Sequence, residues 1–442
     1  MDRERAETNL RLLAEAELRR ARNMPAGSIP GRWNSAPLAL VAQALSAAGA
    51  VGADVADEIQ AGVGLAVAAR LRLATPRLGP WRIGSVPRPA SWRVVPVGQL
   101  IKIPNGDLRR DLLVVAYVQS AAGARFVVAG PPFRPSAAAD DRGVSYQIDW
   151  SGGHAAGQLL LRPDPPHQIR WLDLTMAAGE PAVRIDLDPR VTVPDITVTR
   201  TADRPGELLL DVIGAWILTT AARFSPDNPG QLTADLHAFI ADGTAYIVAA
   251  LHAADLLPPD SPAPGQLAAL CARLGINGHG ITAPPATDLP ERWQSMLARP
   301  RRSEPRVPPA PDILAAAVAE LPELDGAQIA IVGLHHGARG TMMHLVASGL
   351  TQEDWVYAKG VRPLPALWIH DSDGRWHATY ADGVLPWGDT GLVMVALRII
   401  PPLDRGTAWI DVAAAGRSAE IRATLPLRGV STVDATVRHS PF

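Results

Sequence analysis

WLDLTMAAGEPAVRIDL fills residues 171–187, and WIDVAAAGRSAEIRATL fills residues 409–425. One chain writes nearly the same phrase twice, 238 positions apart. Each phrase opens with a strand-like alternation. In WLDL and WIDV the Trp and Asp project to one side and the aliphatic pair to the other. The aliphatic side is expected to meet a core. Trp and Asp then lie outside, or in a groove against a helical module. Because large aromatics are usually mostly buried, the covered position is favoured. If exposed instead, Trp171, Asp173, Trp409 and Asp411 form a contact surface in both copies.

Working outward from this pair, further matches follow in the same order. ARFVVAG (124–130) resembles MHLVASG (343–349) at an offset of 219, and DDRGVSYQIDWSGG (140–153) resembles SDGRWHATYADG (372–383) at 231. DPP (164–166) and IPP (400–402) introduce the opening pair, and VAQALSAAGAV (41–51) resembles IVAALHAADLL (247–257) at 206. Offsets that never decrease along the chain point to a duplication with small insertions. The alignment pairs Trp171 with Trp409, Asp173 with Asp411 and Arg184 with Arg422. A repeat this long implies two domains rather than a solenoid of 20–50-residue units.

The spacing of apolar residues assigns the elements. Leu38, Val41, Leu45 and Ala48 fall at helical spacing, as do Val55, Ile59, Val63 and Val67, so 36–73 reads as a helical hairpin. From residue 78 the period changes to short runs rich in β-branched residues, punctuated by Pro and Gly, which argues for an antiparallel sandwich. ELLLDVIGAWIL (207–218) fits either a strand or a buried helix. SPAPGQLAALCARLG (261–275) reads as a helix, with Leu267, Leu270, Cys271 and Leu274 on one face and Gly275 as its stop.

The expected fold is therefore α+β: a tandem duplication of a small helical hairpin module followed by an immunoglobulin-like antiparallel β-sandwich. Its parts are an N-terminal helical module (1–76), a first sandwich (78–200) and a second helical module (203–283). A Pro/Arg-rich linker (284–312) then leads to a second sandwich (313–442).

Composition sets the outer bounds. The chain has 442 residues, 47% apolar and 19% charged, which is ordinary for a protein that buries cores. A formal net charge of −2 gives no field to steer nucleic acid or an anionic membrane. Of 42 basic residues only Lys102 and Lys359 are lysine, a bias that fits a GC-rich bacterial genome. The single cysteine, Cys271, excludes an intramolecular disulfide and a thiolate zinc site, and fits a reducing cytoplasm. The charged start MDRERAETNLRLLAEAELRR has no apolar core of a signal peptide, and no run approaches the ~18 apolar residues of a membrane span.

Chemical motifs are scarce. HExxH, GxxxxGK[ST], GxSxG and EF-hand patterns do not occur. GHGITA (278–283) fits GxGxxA but runs into prolines rather than a helix. His335, His336 and His344 cluster in IAIVGLHHGARGTMMH (329–344), yet the duplicate lacks histidine and no carboxylate or cysteine stands close by to complete a metal shell. They read as exposed hairpin histidines, and being unique to the second copy they place any specialised activity there. His377, Tyr380 and Asp382 read as surface polar residues on a half-exposed strand. Arg301 and Arg302 belong to a basic linker without interleaved aromatics. Trp is frequent at 12 residues, and Trp376 and Trp387 are candidates for a ligand groove.

The function expected from this pattern is that of a non-catalytic intracellular interaction or scaffold protein with a protein partner and no cofactor or metal; nucleic acid and membrane partners are not expected. The alternatives are a hydrolase with a site in an inter-module cleft, or a small-ligand or carbohydrate binder using exposed Trp. The interaction candidates are Trp171, Asp173, Trp409, Asp411, His335, His336, His344, Trp376, Trp387, Arg301 and Arg302.

Overall fold

The structure, a computed structural model, describes residues within 92–200, 205–223, 257–298 and 312–438, mainly the strands, helices and adjoining turns named below, and isolated positions within 4–58 and 245–252. Strands dominate these residues. The first set is β1 (Trp92–Ile103), β2 (Arg110–Ser120), β3 (Gly123–Ala129), β4 (Ala137–Asp140), β5 (Ser145–Gly152), β6 (Gly157–Arg162), β7 (Trp171–Thr175) and β8 (Ala182–Asp186). After β9 (Asp195–Arg200) come three helices: α1 (Pro205–Arg223), α2 (Ala263–Arg273) and α3 (Glu291–Leu297). The second set is β10 (Asp312–Ala315), β11 (Ala319–Leu324), β12 (Ala327–Gly337), β13 (Gly340–Ser348), β14 (Ala366–Asp371), β15 (Trp376–Pro386), β16 (Leu392–Ile400), β17 (Trp409–Ala415) and β18 (Ala419–Pro426). The short β19 (Val433–Asp434) and β20 (Thr436–Arg438) follow.

Each set forms one continuous sheet. The first runs β19-β1-β2-β3-β6-β5-β4-β7-β8-β20, and the second β10-β12-β13-β16-β15-β14-β17-β18-β9, with β11 also on β12. From β2 to β8 the two paths are identical once ten is added to each label. In both, three hairpin-linked strands are flanked by one that returns beside them, a Greek-key connection. β19 and β20 bracket residue 435 and pair with β1 and β8, so one short segment closes the first sheet on itself.

These paths overturn the immunoglobulin-like sandwich. A sandwich needs two separate layers, whereas here β3 bonds to β6 and β4 to β7, joining every strand into a curled, barrel-like sheet. Alternating burial occurs in both architectures, so the pattern could not distinguish them. The tandem helical-hairpin module is overturned as well: among the described residues the helices with defined bounds are α1, α2 and α3, and no helical hairpin repeat is visible. The hairpin expected at 36–73 lies almost wholly outside those residues. Residues 207–218 prove helical, in α1, which opens on Pro205 where an early proline is tolerated. The expected linker contains α3, whose Trp293 is buried.

Three apolar clusters follow from the sheets. Inward side chains such as Phe126, Leu159, Leu172 and Ile185 fill the first barrel. Leu345, Ile369, Val395 and Ile410 fill the second. A third cluster lies on outward faces: Leu113, Val115, Val118 and Val127 of the first sheet meet Val332, Val346 and Met394 of the second. The two barrels therefore pack through dry surface, with the hydrophobic effect favouring the contact at ~25 cal/mol per Å² removed from water.

Candidate interaction surface

The repeated phrase forms equivalent hairpins, β7–β8 and β17–β18. In β7 burial alternates: Leu172 and Leu174 are buried while Trp171, Asp173 and Thr175 are partly exposed. β17 begins the same way, with Ile410 and Val412 buried and Trp409 and Asp411 partly exposed. The aliphatic pair thus faces the barrel interior, and Trp and Asp face out.

On the first barrel this outward row is organised by Arg184, directly across from Asp173. Its Nε and Nη2 donate to Asp173 Oδ1 and Oδ2, each at 2.7 Å. The guanidinium carbon lies 3.3 Å from the centroid of the Trp171 ring. Hydrogen bonding to Asp173 raises the Arg184 pKa above its ordinary value, so the stack carries a fixed charge. A planar fork held by a carboxylate and stacked on indole is a pre-organised group.

The second barrel rebuilds the row with different residues. Asp411 stands across from Thr424, and Arg422 stands across from Ala413. Thr424 Oγ1 donates to Asp411 Oδ1 at 2.6 Å. The structural counterpart of Arg184 is therefore Thr424, not Arg422; Trp171 pairs with Asp186 but Trp409 with Pro426, so the second copy's pairing is displaced by two residues. Arg422 instead donates to Glu420 at 2.9 Å. His370 lies between the aromatic groups, 4.8 Å from the Trp376 ring and 6.0 Å from the Trp409 ring.

Helices cover part of this second face. Asp211 of α1 is buried and takes three donors: Trp293 Nε1 at 3.0 Å, Trp368 Nε1 at 3.2 Å and Arg292 Nη2 at 2.9 Å. Arg292 also reaches Glu420 at 3.3 Å. Burial raises the Asp211 pKa above the carboxylate range, against the pull of Arg292 and the two indoles. Ser295 Oγ accepts the backbone N–H of Trp376, whose side chain is buried. The tryptophans that meet the helices are thus Trp368 and Trp376. The favoured reading of Trp171 and Trp409 as helix-covered fails: both stay partly exposed. When the β4–β5 and β14–β15 turns are aligned, Ala137 and Ser145 stand where Trp368 and Trp376 do, and Ser145 is exposed.

Those turns share a design that the sequence alignment did not isolate. Asp140 Oδ1 accepts the N–H groups of Arg142 and Val144, both at 2.9 Å. Asp371 Oδ1 accepts those of Asp373 at 3.0 Å and Arg375 at 2.9 Å. Gly143 and Gly374 supply the left-handed residue, at φ 79° and 75°. The second oxygen differs. Tyr146 donates to Asp140 Oδ2 at 2.6 Å, whereas His377 Nε2 faces Asp371 Oδ2 at 3.1 Å. His377 Nδ1 also lies 2.6 Å from the Pro401 carbonyl. Both ring nitrogens thus face oxygen atoms. Burial raises the Asp371 carboxyl, but hydrogen bonds from His377 and the Arg375 amide bring it below the usual range. His377 is fully buried, not a surface residue. The signal was present as Asp-x-x-Gly in both copies, followed by Tyr or His three residues on.

The three clustered histidines are likewise buried rather than exposed. Thr341 Oγ1 lies 2.9 Å from His336 Nδ1 and accepts the Leu403 N–H at 3.0 Å, which leaves its own proton for His336. His344 Nε2 lies 3.0 Å from His335 Nδ1, with the rings stacked at 5.0 Å. His344 shares the outward face of β13 with Val346, which packs on the first barrel. Among the described residues no group of three or more His, Cys, Asp or Glu is arranged to hold a metal ion. Trp387, Arg301 and Arg302 lie outside the described residues. No helix among them is long and apolar enough to cross a membrane.

No family model matches the chain, and neither the curated proteins nor the solved structures contain a significant match.

Proposed function

We propose that the chain is a non-catalytic interaction scaffold that presents related contact faces on two joined barrels to a protein partner. The observation that carries this reading is the Trp171–Arg184–Asp173 stack. Trp and Arg are the side chains that most often dominate binding energy at interfaces. Here they are partly exposed yet already ordered, so little rotamer entropy is lost on contact. Supporting it, the side chains with catalytic potential described above are committed to internal bonds: His377 to Asp371 and Pro401, His335 to His344, His336 to Thr341, and Asp211 to two indoles and a guanidinium.

The test uses the full chain as bait with a Trp171→Ala/Arg184→Ala variant beside it, in cells carrying a photo-crosslinker at position 175, on the same outward row of β7 but outside the stack. A partner crosslinked by the native face and lost from the variant, with unchanged circular dichroism, supports the reading. An identical crosslinking pattern from both proteins, or none from either, removes it.

A further inference from the structure

The strands that finish the two sheets come from the wrong halves. β9 follows β8 in sequence but pairs with β18 of the second sheet, over Asp195–Arg200. β20 follows β18 but pairs with β8 of the first sheet, over Thr436–Arg438. The exchange falls at equivalent places in the two sheets. Thr197 stands across from Arg422, and Arg438 stands across from Ala182. Arg422 and Ala182 are counterparts, because Thr424 and Arg184 are. The two entering strands therefore occupy overlapping rungs of the two sheets.

A local solution was open to the chain. Only residues 187–194 separate β8 from β9, enough for a hairpin return onto β8 at small loop-closure cost. Instead, β8 receives a strand more than 240 positions away. Contacts that distant are entropically expensive and persist only where they are part of a larger stable unit. That unit includes the apolar contact between the barrels. Beside the same seam, Gln99 Oε1 accepts the Asp186 N–H at 2.9 Å, linking β1 to β8 where β19 and β20 enter.

We infer that the chain is a fused form of a strand-swapped pair, in which each barrel is completed by its sister and neither keeps its sheet intact alone. Two copies of a single ancestral repeat exchanging their last strands about a two-fold axis give this arrangement, the low-cost route to a dimer. Fusion of the copies makes the exchange intramolecular.

Hydrogen exchange on the intact full-length protein tests this directly. The double variant Thr436→Pro/Val437→Pro removes a ladder N–H whichever of the two adjacent residues points at β8. Amides at 182–186, some 250 positions upstream, are expected to exchange at least tenfold faster. The reciprocal variant Thr197→Pro/Val198→Pro is expected to do the same at 419–424. Unchanged exchange at 182–186 in the first variant overturns the inference. Should the proline variants fail to fold, Val183→Cys/Val437→Cys in the full chain decides: an intrachain disulfide under mild oxidation supports the exchange, and no disulfide or only interchain dimers overturns it.

Discussion

His344 sits on the face where the second barrel packs against the first, and burial lowers its pKa from the ordinary 6.5 to about 4. The unfolded chain, titrating near the ordinary value, binds more protons than the folded chain between these limits. Stability therefore rises with pH across this window and is lost as pH falls from 6.5 toward 4. At 1.36 kcal/mol per pKa unit, taking the protein from pH 7.5 to 4.5 costs about 2–3 kcal/mol through His344 alone. His335 acts in the same direction, because burial and the neighbouring His344 and His336 hold its pKa well below 6.5. Asp140 and Asp371 also lose stability on acidification, since their folded pKa values are depressed, so the native profile alone does not isolate the histidine. His344→Gln does isolate it: the amide retains hydrogen-bonding capacity toward His335 and does not titrate. Urea unfolding followed by tryptophan fluorescence at pH 7.5, 5.5 and 4.5 should show the native protein losing about 2–3 kcal/mol more than the variant. Parallel profiles for the two proteins would refute the claim that a neutral imidazole is buried at position 344.

Two further predictions concern the helical layer. Asp211→Ala leaves partly exposed Arg292 with Glu420 alone and two buried indole N–H groups without their acceptor, and should cost about 3–5 kcal/mol in chemical denaturation; a loss below about 1 kcal/mol would show the cluster to be incidental. Gly214→Ala places a Cβ inside the van der Waals envelope of the Trp293 ring, so overpacking of about 1–3 kcal/mol is expected, read as a lowered melting temperature and a shifted tryptophan emission.

What the sequence made legible was periodic and local. The alternation in WLDL and WIDV correctly placed Leu172, Leu174, Ile410 and Val412 inside, and the helical spacing of Leu267, Leu270 and Cys271 marked the buried face of α2. Closure was not local. Alternation reports that one face of a strand is buried, and says nothing about which strand lies beside it. The partners that make each sheet continuous, β3 with β6 and β4 with β7, are joined by connections of variable length. The histidines were misjudged for a related reason. A polar hairpin normally lies in water, but the histidines of this one are buried, which only tertiary structure reveals. Arg422 was misassigned because a two-residue insertion preserves face in a strand, so an in-phase slip left the hydrophobic pattern intact.

Divergence between the copies follows what each barrel has to cover. The second barrel places Trp368 and Trp376 on its outer face, where the rings meet Asp211 of α1 and Arg292 of α3 and the Trp376 backbone N–H meets Ser295. The first barrel carries Ala137 and Ser145 at those positions, and its Trp171 is stacked by its own Arg184 instead. The histidines unique to the second copy are buried and face one another or Thr341, so their uniqueness marks altered packing within that copy. If the exchanged strands lock the barrels together, a partner that engages the open face of the first also meets the half-covered face of the second in one fixed orientation. Two sites held by a rigid spacer raise the effective concentration of the second contact without any new bond, provided that the spacing matches the partner. A scaffold of this kind gains from an exchange that forbids the barrels to drift apart, which is a physical reason for the costly long-range pairing to be retained after the copies were fused.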